Sequence, residues 1–85
     1  MKKLIVISAV WCPSCLVMSK YIKKINEEFS DLEVVKLDYD FDDEVEKYNV
    51  DKKLPVLILL DNDNEVNRLV GEKNYKEIKE FIEEN

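Results

Sequence analysis

An unbroken apolar run, Leu4-Ile5-Val6-Ile7, leads after a short connection into Trp11-Cys12-Pro13-Ser14-Cys15, and beyond it Met18, Ile22, Ile25 and Phe29 recur at helical spacing. The run is short, β-branched and apolar on both faces, which reads as a buried central strand. Proline directly after Cys12 suits the first position of a helix, where its missing N–H does no harm. The spacing predicts a strand over 4–8, a helix over 13–29, and two cysteines at the junction. Such a junction aims unpaired backbone N–H groups and the positive end of a helix dipole at the first thiol, and both favour thiolate over thiol. Cys15 shares the helix face of Met18, Ile22, Ile25 and Phe29, so it is expected to go to the core. Cys12 is expected to stay outside, giving an exposed attacker and a shielded resolver.

These are the only two cysteines, so reversible dithiol chemistry within one molecule must use both. Two other readings compete. Free cysteines are often small core residues, and a Cys-x-x-Cys pair is half of many zinc sites. A tetrahedral zinc site needs four ligands, however, and the chain offers two thiols and no histidine. No metal or other cofactor is expected. The missing histidine also excludes a Cys-His nucleophilic dyad.

Residues 33–38 read as a second strand, parallel to the first because a helix joins them. Asp40-Phe41-Asp42-Asp43 reads as the start of a short helix with Phe41, Val45 and Tyr48 on its apolar edge. Strands over 55–60 and 65–70 flank the turn formers Asp61-Asn62-Asp63-Asn64, an antiparallel hairpin. Asn74, with Glu77 three residues on, can cap a last helix whose Tyr75, Ile78, Phe81 and Ile82 face inward. The order is βαβαββα, an α/β chain of one domain over residues 1–85.

The net charge of −6 opposes nucleic acid and anionic membranes. The acidic residues read as solvated faces. Met1-Lys2-Lys3 before an apolar run imitates a secretory leader. Yet Trp11 stands where a small residue would be needed, and cleavage there would remove a core strand, so the expected location is cytoplasmic. No transmembrane span is expected.

Trp11-Cys12-Pro13-Ser14-Cys15, then Val35-Lys36-Leu37-Asp38, Lys47-Tyr48-Asn49-Val50, Leu54-Pro55 before Val56-Leu57-Ile58-Leu59-Leu60, and Val70-Gly71 together resemble the thioredoxin superfamily. The resemblance covers nearly the whole chain. It implies the minimal thioredoxin-like fold, a four-stranded mixed sheet of order 2-1-3-4 with helices on both faces. It also implies a thiol–disulfide oxidoreductase in which Cys12 attacks a protein disulfide and Cys15 resolves the mixed disulfide.

On the same resemblance, Pro55 is a cis-proline beside the cysteines and Leu54 pairs its backbone with the bound polypeptide. Trp11 and Pro13 belong to the substrate surface, and Gly71 opens a backbone approach. On composition alone, Pro55 reads as a trans proline opening a strand, Trp11 as a partly buried plug, and Gly71 as a strand terminator. Ser14 is expected to modulate the redox potential through helix N-terminal hydrogen bonding. One departure stands out: the family's buried carboxylate, six residues before the first cysteine, is Val6 here. Lys36 matches the lysine that accompanies that carboxylate and is assigned a minor, modulating role, since a lone lysine on an outer strand is more often a snorkelling surface residue.

The expected partners are protein disulfides and a thioredoxin-reductase-type electron donor, with the chain a monomer. A glutaredoxin-like, glutathione-dependent enzyme is the rival. Size and Pro13 favour it; Trp11, the absence of tyrosine between the cysteines and of a Gly-Gly turn near Gly71 oppose it. A non-catalytic binding module on the same fold is a third reading.

Overall fold

The computed structural model describes residues 2–85, as β1 (Lys2–Ser8), α1 (Pro13–Glu28), β2 (Glu33–Asp38), a 3₁₀ helix (Asp43–Tyr48), β3 (Val56–Asp61), β4 (Asn64–Val70) and α2 (Tyr75–Glu84). The strands form one sheet of order β2-β1-β3-β4. β1 and β2 run parallel with Val6 opposite Lys36, whereas β3 is antiparallel to both β1 and β4. The central strands are apolar because both of their faces are covered. Leu4, Val6, Leu57 and Leu59 pack under α1 and α2 with Met18, Ile22, Ile25, Ile78, Phe81 and Ile82. On the opposite face Ile5, Ile7, Ile58 and Leu60 pack with Val45 of the 3₁₀ helix and with Leu54.

The ends of the elements follow local chemistry. α2 starts in a full capping box: Asn74 accepts the Glu77 N–H at 2.8 Å while the Glu77 side chain reaches back to the Asn74 N–H. The hairpin turns through Asn62 and Asp63, both at positive φ, as a two-residue loop between right-twisted strands requires.

The acidic segment after β2 departs from the expected helix. Asp38 Oδ1 accepts the N–H groups of Asp40 and Phe41, and Asp42 Oδ2 accepts that of Asp38. These carboxylates fold residues 38–42 into a turn, since side-chain acceptors compete with helical bonds. The helix therefore begins only at Asp43 and is 3₁₀, not α. Phe41 is not on its apolar edge but 77% exposed, while Val45 is buried and Tyr48 half-buried.

Candidate functional site

Where β1 gives way to α1, the chain turns through Ala9-Val10-Trp11, held by the Cys12 N–H to the Ala9 carbonyl at 3.2 Å. Cys12 is the N-cap of α1. Its backbone is extended, Pro13 takes the first helical position, and its Sγ accepts the Cys15 N–H at 3.3 Å. Sulfur thus occupies the place usually held by a serine or aspartate oxygen. That donor binds more strongly as the sulfur gains negative charge, and the helix dipole acts in the same sense.

The expected contrast of an exposed Cys12 and a shielded Cys15 does not hold. Both thiols are reduced and buried, Cys12 at 5% exposure and Cys15 at 9%. Helix periodicity places Cys12 off the core face of α1, but it cannot register the segment before β3, and Leu54 packs in one cluster with Ala9, Cys12 and Cys15. The two sulfurs differ by electrostatics. Burial first, then the hydrogen bond and charge of Cys12, push the Cys15 thiol up to about 12, with a smaller opposing effect at the Ala9 backbone.

The Leu54–Pro55 bond is cis. Pro55 is fully buried and borders the same small cavity as Cys15. Its carbonyl accepts the Gly71 N–H at 2.9 Å, so Gly71, at φ +91, is tied directly to the proline. An added Cβ on Gly71 would meet nothing within 4 Å, which leaves open space above its backbone. Ser14 is half-buried in the first turn of α1, and Pro13 is exposed.

Trp11, directly before Cys12 in the chain, is 51% exposed, with Val10 at 75% beside it. Its Nε1 donates to Asp40 Oδ2 at 2.7 Å, and its ring meets Tyr39 edge-on, centroids 6.3 Å apart. Tyr39 and Asp40 were not legible as site residues, because an acidic stretch reads as a solvated face. The available signal was Asp38-x-x-x-Asp42 at a strand end, a spacing suited to a carboxylate-braced turn. Lys36 is exposed on β2, yet it lines the cavity that reaches Cys15. Among the described residues, no group of three or more histidine, cysteine or acidic side chains is placed to hold a metal ion, and no helix is long and apolar enough to cross a membrane.

This geometry can carry thiol–disulfide exchange: one sulfur capped by a helix N-terminus, a second three residues on that holds its proton, and a cis-proline bordering the cavity of the second. The sequence profile of the family described as Thioredoxin matches residues 1–84. Thioredoxin-1 of Saccharomyces cerevisiae is 34% identical over 85 residues, covering 98% of this chain and 82% of that protein. Thioredoxin-2 of the same yeast is 35% identical over 85 residues, covering 98% and 81%. Among solved structures, Plasmodium falciparum thioredoxin superposes with a TM-score of 0.89 at 25% identity, covering 98% of this chain and 80% of that one.

Proposed function

Because this chain belongs to the thioredoxin family and is a thiol–disulfide oxidoreductase acting on protein disulfides, we propose that Cys12 is its nucleophile and Cys15 its resolving thiol. The observation that carries the assignment is the Cys15 N–H donated to Cys12 Sγ at the mouth of α1, with the Cys15 thiol pushed up to about 12. The first sulfur sits at a helix N-terminus with a backbone N–H donated to it, and the second keeps its proton until needed.

Cys12 thiolate attacks one sulfur of the client disulfide. A Cys12–client bond forms, the client S–S bond breaks, and the second client sulfur leaves as thiolate. Cys15 then gives up its proton and attacks Cys12 Sγ. The Cys12–Cys15 disulfide forms, the client's remaining sulfur departs, and two electrons have passed to the client. The client lies on Trp11 and Pro13. The wall beside the sulfurs is Leu54-Pro55, and Gly71 leaves room for a chain to pass. Leu54 and Pro55 are buried as side chains, so their contribution is through backbone and shape.

A flavin-dependent reductase of the thioredoxin-reductase type is the electron donor, supported by the single glycine at Gly71, which offers no Gly-Gly turn for glutathione. A cytoplasmic setting and a monomeric state fit a chain whose thiols must return to the reduced form each cycle. The test is trapping. Cys15→Ser should accumulate client-linked, dithiothreitol-sensitive adducts on non-reducing gels, because attack survives and release does not. Cys12→Ser should trap nothing. Equal trapping by both variants, or by neither, would overturn the assignment.

A further inference from the structure

The segment between β4 and α2, Gly71-Glu72-Lys73-Asn74, is neither helix nor strand, so its course depends on where its N–H groups find acceptors. Gly71 donates to the Pro55 carbonyl at 2.9 Å, and Asn74 to its capping partner Glu77 at 3.5 Å. Between them the part-buried Lys73 N–H donates to Met18 Sδ at 3.2 Å, across 55 positions in the chain. Met18 is 1% exposed on the core face of α1, where a leucine would fill much the same volume. Leucine offers no acceptor, however, and a part-buried N–H left without one is costly. A thioether accepts only weakly, but its unbranched, flexible chain brings sulfur to a donor that a branched side chain would not meet.

This bond ties two parts of the site to one rigid element. α1 carries Cys12 as its N-cap and Met18 on its core face, about 9 Å further along the axis at ~1.5 Å per residue. Gly71, whose backbone faces open space, precedes Lys73 closely in the chain. A hydrogen bond at Gly71 alone would fix one point of a segment still able to pivot about it, and the second bond at Lys73 fixes its direction. We propose that Met18 is a positioning residue for protein clients: its sulfur holds segment 71–74 against α1 and so sets the width of the passage between Gly71 and Cys12. The proposal rests on the reading that a client chain runs past Gly71. It gives a core methionine a part in client affinity and none in the sulfur chemistry. A small aromatic disulfide reaches Cys12 without using that passage and is indifferent to its width.

Met18→Leu keeps the packing and removes the acceptor. Norleucine, incorporated at Met18 and Met1, the chain's two methionines, replaces sulfur by a methylene, whereas selenomethionine keeps an acceptor in place. The readouts are amide hydrogen exchange at Lys73 and kinetics on insulin, as a protein disulfide, and on a small aromatic disulfide. In Met18→Leu and in the norleucine protein, exchange at Lys73 should quicken about two- to tenfold, as the loss of one hydrogen bond dictates, while Ile78 in α2 exchanges as in the parent. KM for insulin should rise about two- to tenfold, because the client must order the freed segment, with kcat and attack on the small disulfide at parent values. The selenomethionine protein should match the parent in both readouts. Faster exchange at Lys73 with an unchanged KM overturns the proposal, as does unchanged exchange or an equal loss on both substrates. Gly71→Asn tests the reading beneath it, since asparagine tolerates positive φ and fills the open space, so KM for insulin should rise there too. A parent KM in that variant would instead sink the reading that clients pass Gly71.

Discussion

Replacing Asp40 by alanine should weaken client binding without touching the sulfur chemistry. Trp11 is half exposed, and the polar contact holding its ring is the 2.7 Å bond from Nε1 to Asp40, backed by the edge of Tyr39. Without the carboxylate the indole gains rotamers that a bound client must freeze again. Immobilising one such side chain costs about 0.5–1.5 kcal/mol on binding, which is roughly a two- to twelvefold rise in KM at RT of about 0.6 kcal/mol. Asp40→Asn retains a carbonyl acceptor and removes only the charge, so it should keep most of the parent's affinity. Trp11 is the only tryptophan, so time-resolved fluorescence anisotropy reports its ring motion directly. The expected pattern is a faster local depolarisation and a higher KM for a protein disulfide in Asp40→Ala, with parent-like attack on a small aromatic disulfide. Anisotropy and KM both at parent values would refute the argument that the hydrogen bond positions the platform.

Three further outcomes follow from the same geometry. The Cys15 thiol, pushed up from 9.0 to about 12 by burial and by Cys12, keeps its proton in the folded state where the unfolded chain has lost it. The reduced protein should therefore lose stability as pH rises from about 9 toward 12, and not below that window; urea midpoints that fall in parallel for the parent and Cys15→Ala would contradict it. Gly71→Ala meets open space but must adopt φ +91, so it should lower stability by about 1–2 kcal/mol through backbone strain alone, and an unchanged urea midpoint would disprove that cause. Asn74→Ala removes the side-chain acceptor of the capping box and keeps the backbone N–H bonded to Glu77; it should cost about 1 kcal/mol while leaving the thiol kinetics at parent values, which stopped-flow measurement checks.

Most of the architecture could be read before any coordinates, because it depends on neighbours in the chain. The apolar run at Leu4–Ile7, the proline after Cys12, the Asn74–Glu77 pair and the turn formers between β3 and β4 each act over a few residues. Each produced the element expected of it. β1 and α1 meet at the cysteines for the same reason, since Cys12 caps the helix through a bond to a residue three positions on. The order β2-β1-β3-β4 was legible only through the family resemblance, although the parallel pairing of β1 and β2 follows from the helix that joins them.

What tertiary structure decided lies wherever a side chain's surroundings come from another element. Cys12 looks exposed on a helical wheel, and it is buried in a cluster that includes Leu54, Val56 and Ile58 from far along the chain. Phe41 fits an apolar edge by spacing, but the carboxylates of Asp38 and Asp42 turn the backbone and leave it in solvent. Asp40 carries no signal until it meets Trp11, 29 residues earlier. Lys36 reads as an ordinary surface lysine until the sheet sets it opposite Val6, on the wall of the cavity that reaches Cys15. Periodicity and capping are local free-energy preferences that a window of sequence contains. Burial, hydrogen-bond partners and thiol protonation depend on which distant groups displace water from a side chain, and only the closed sheet with its packed loops brings those groups together.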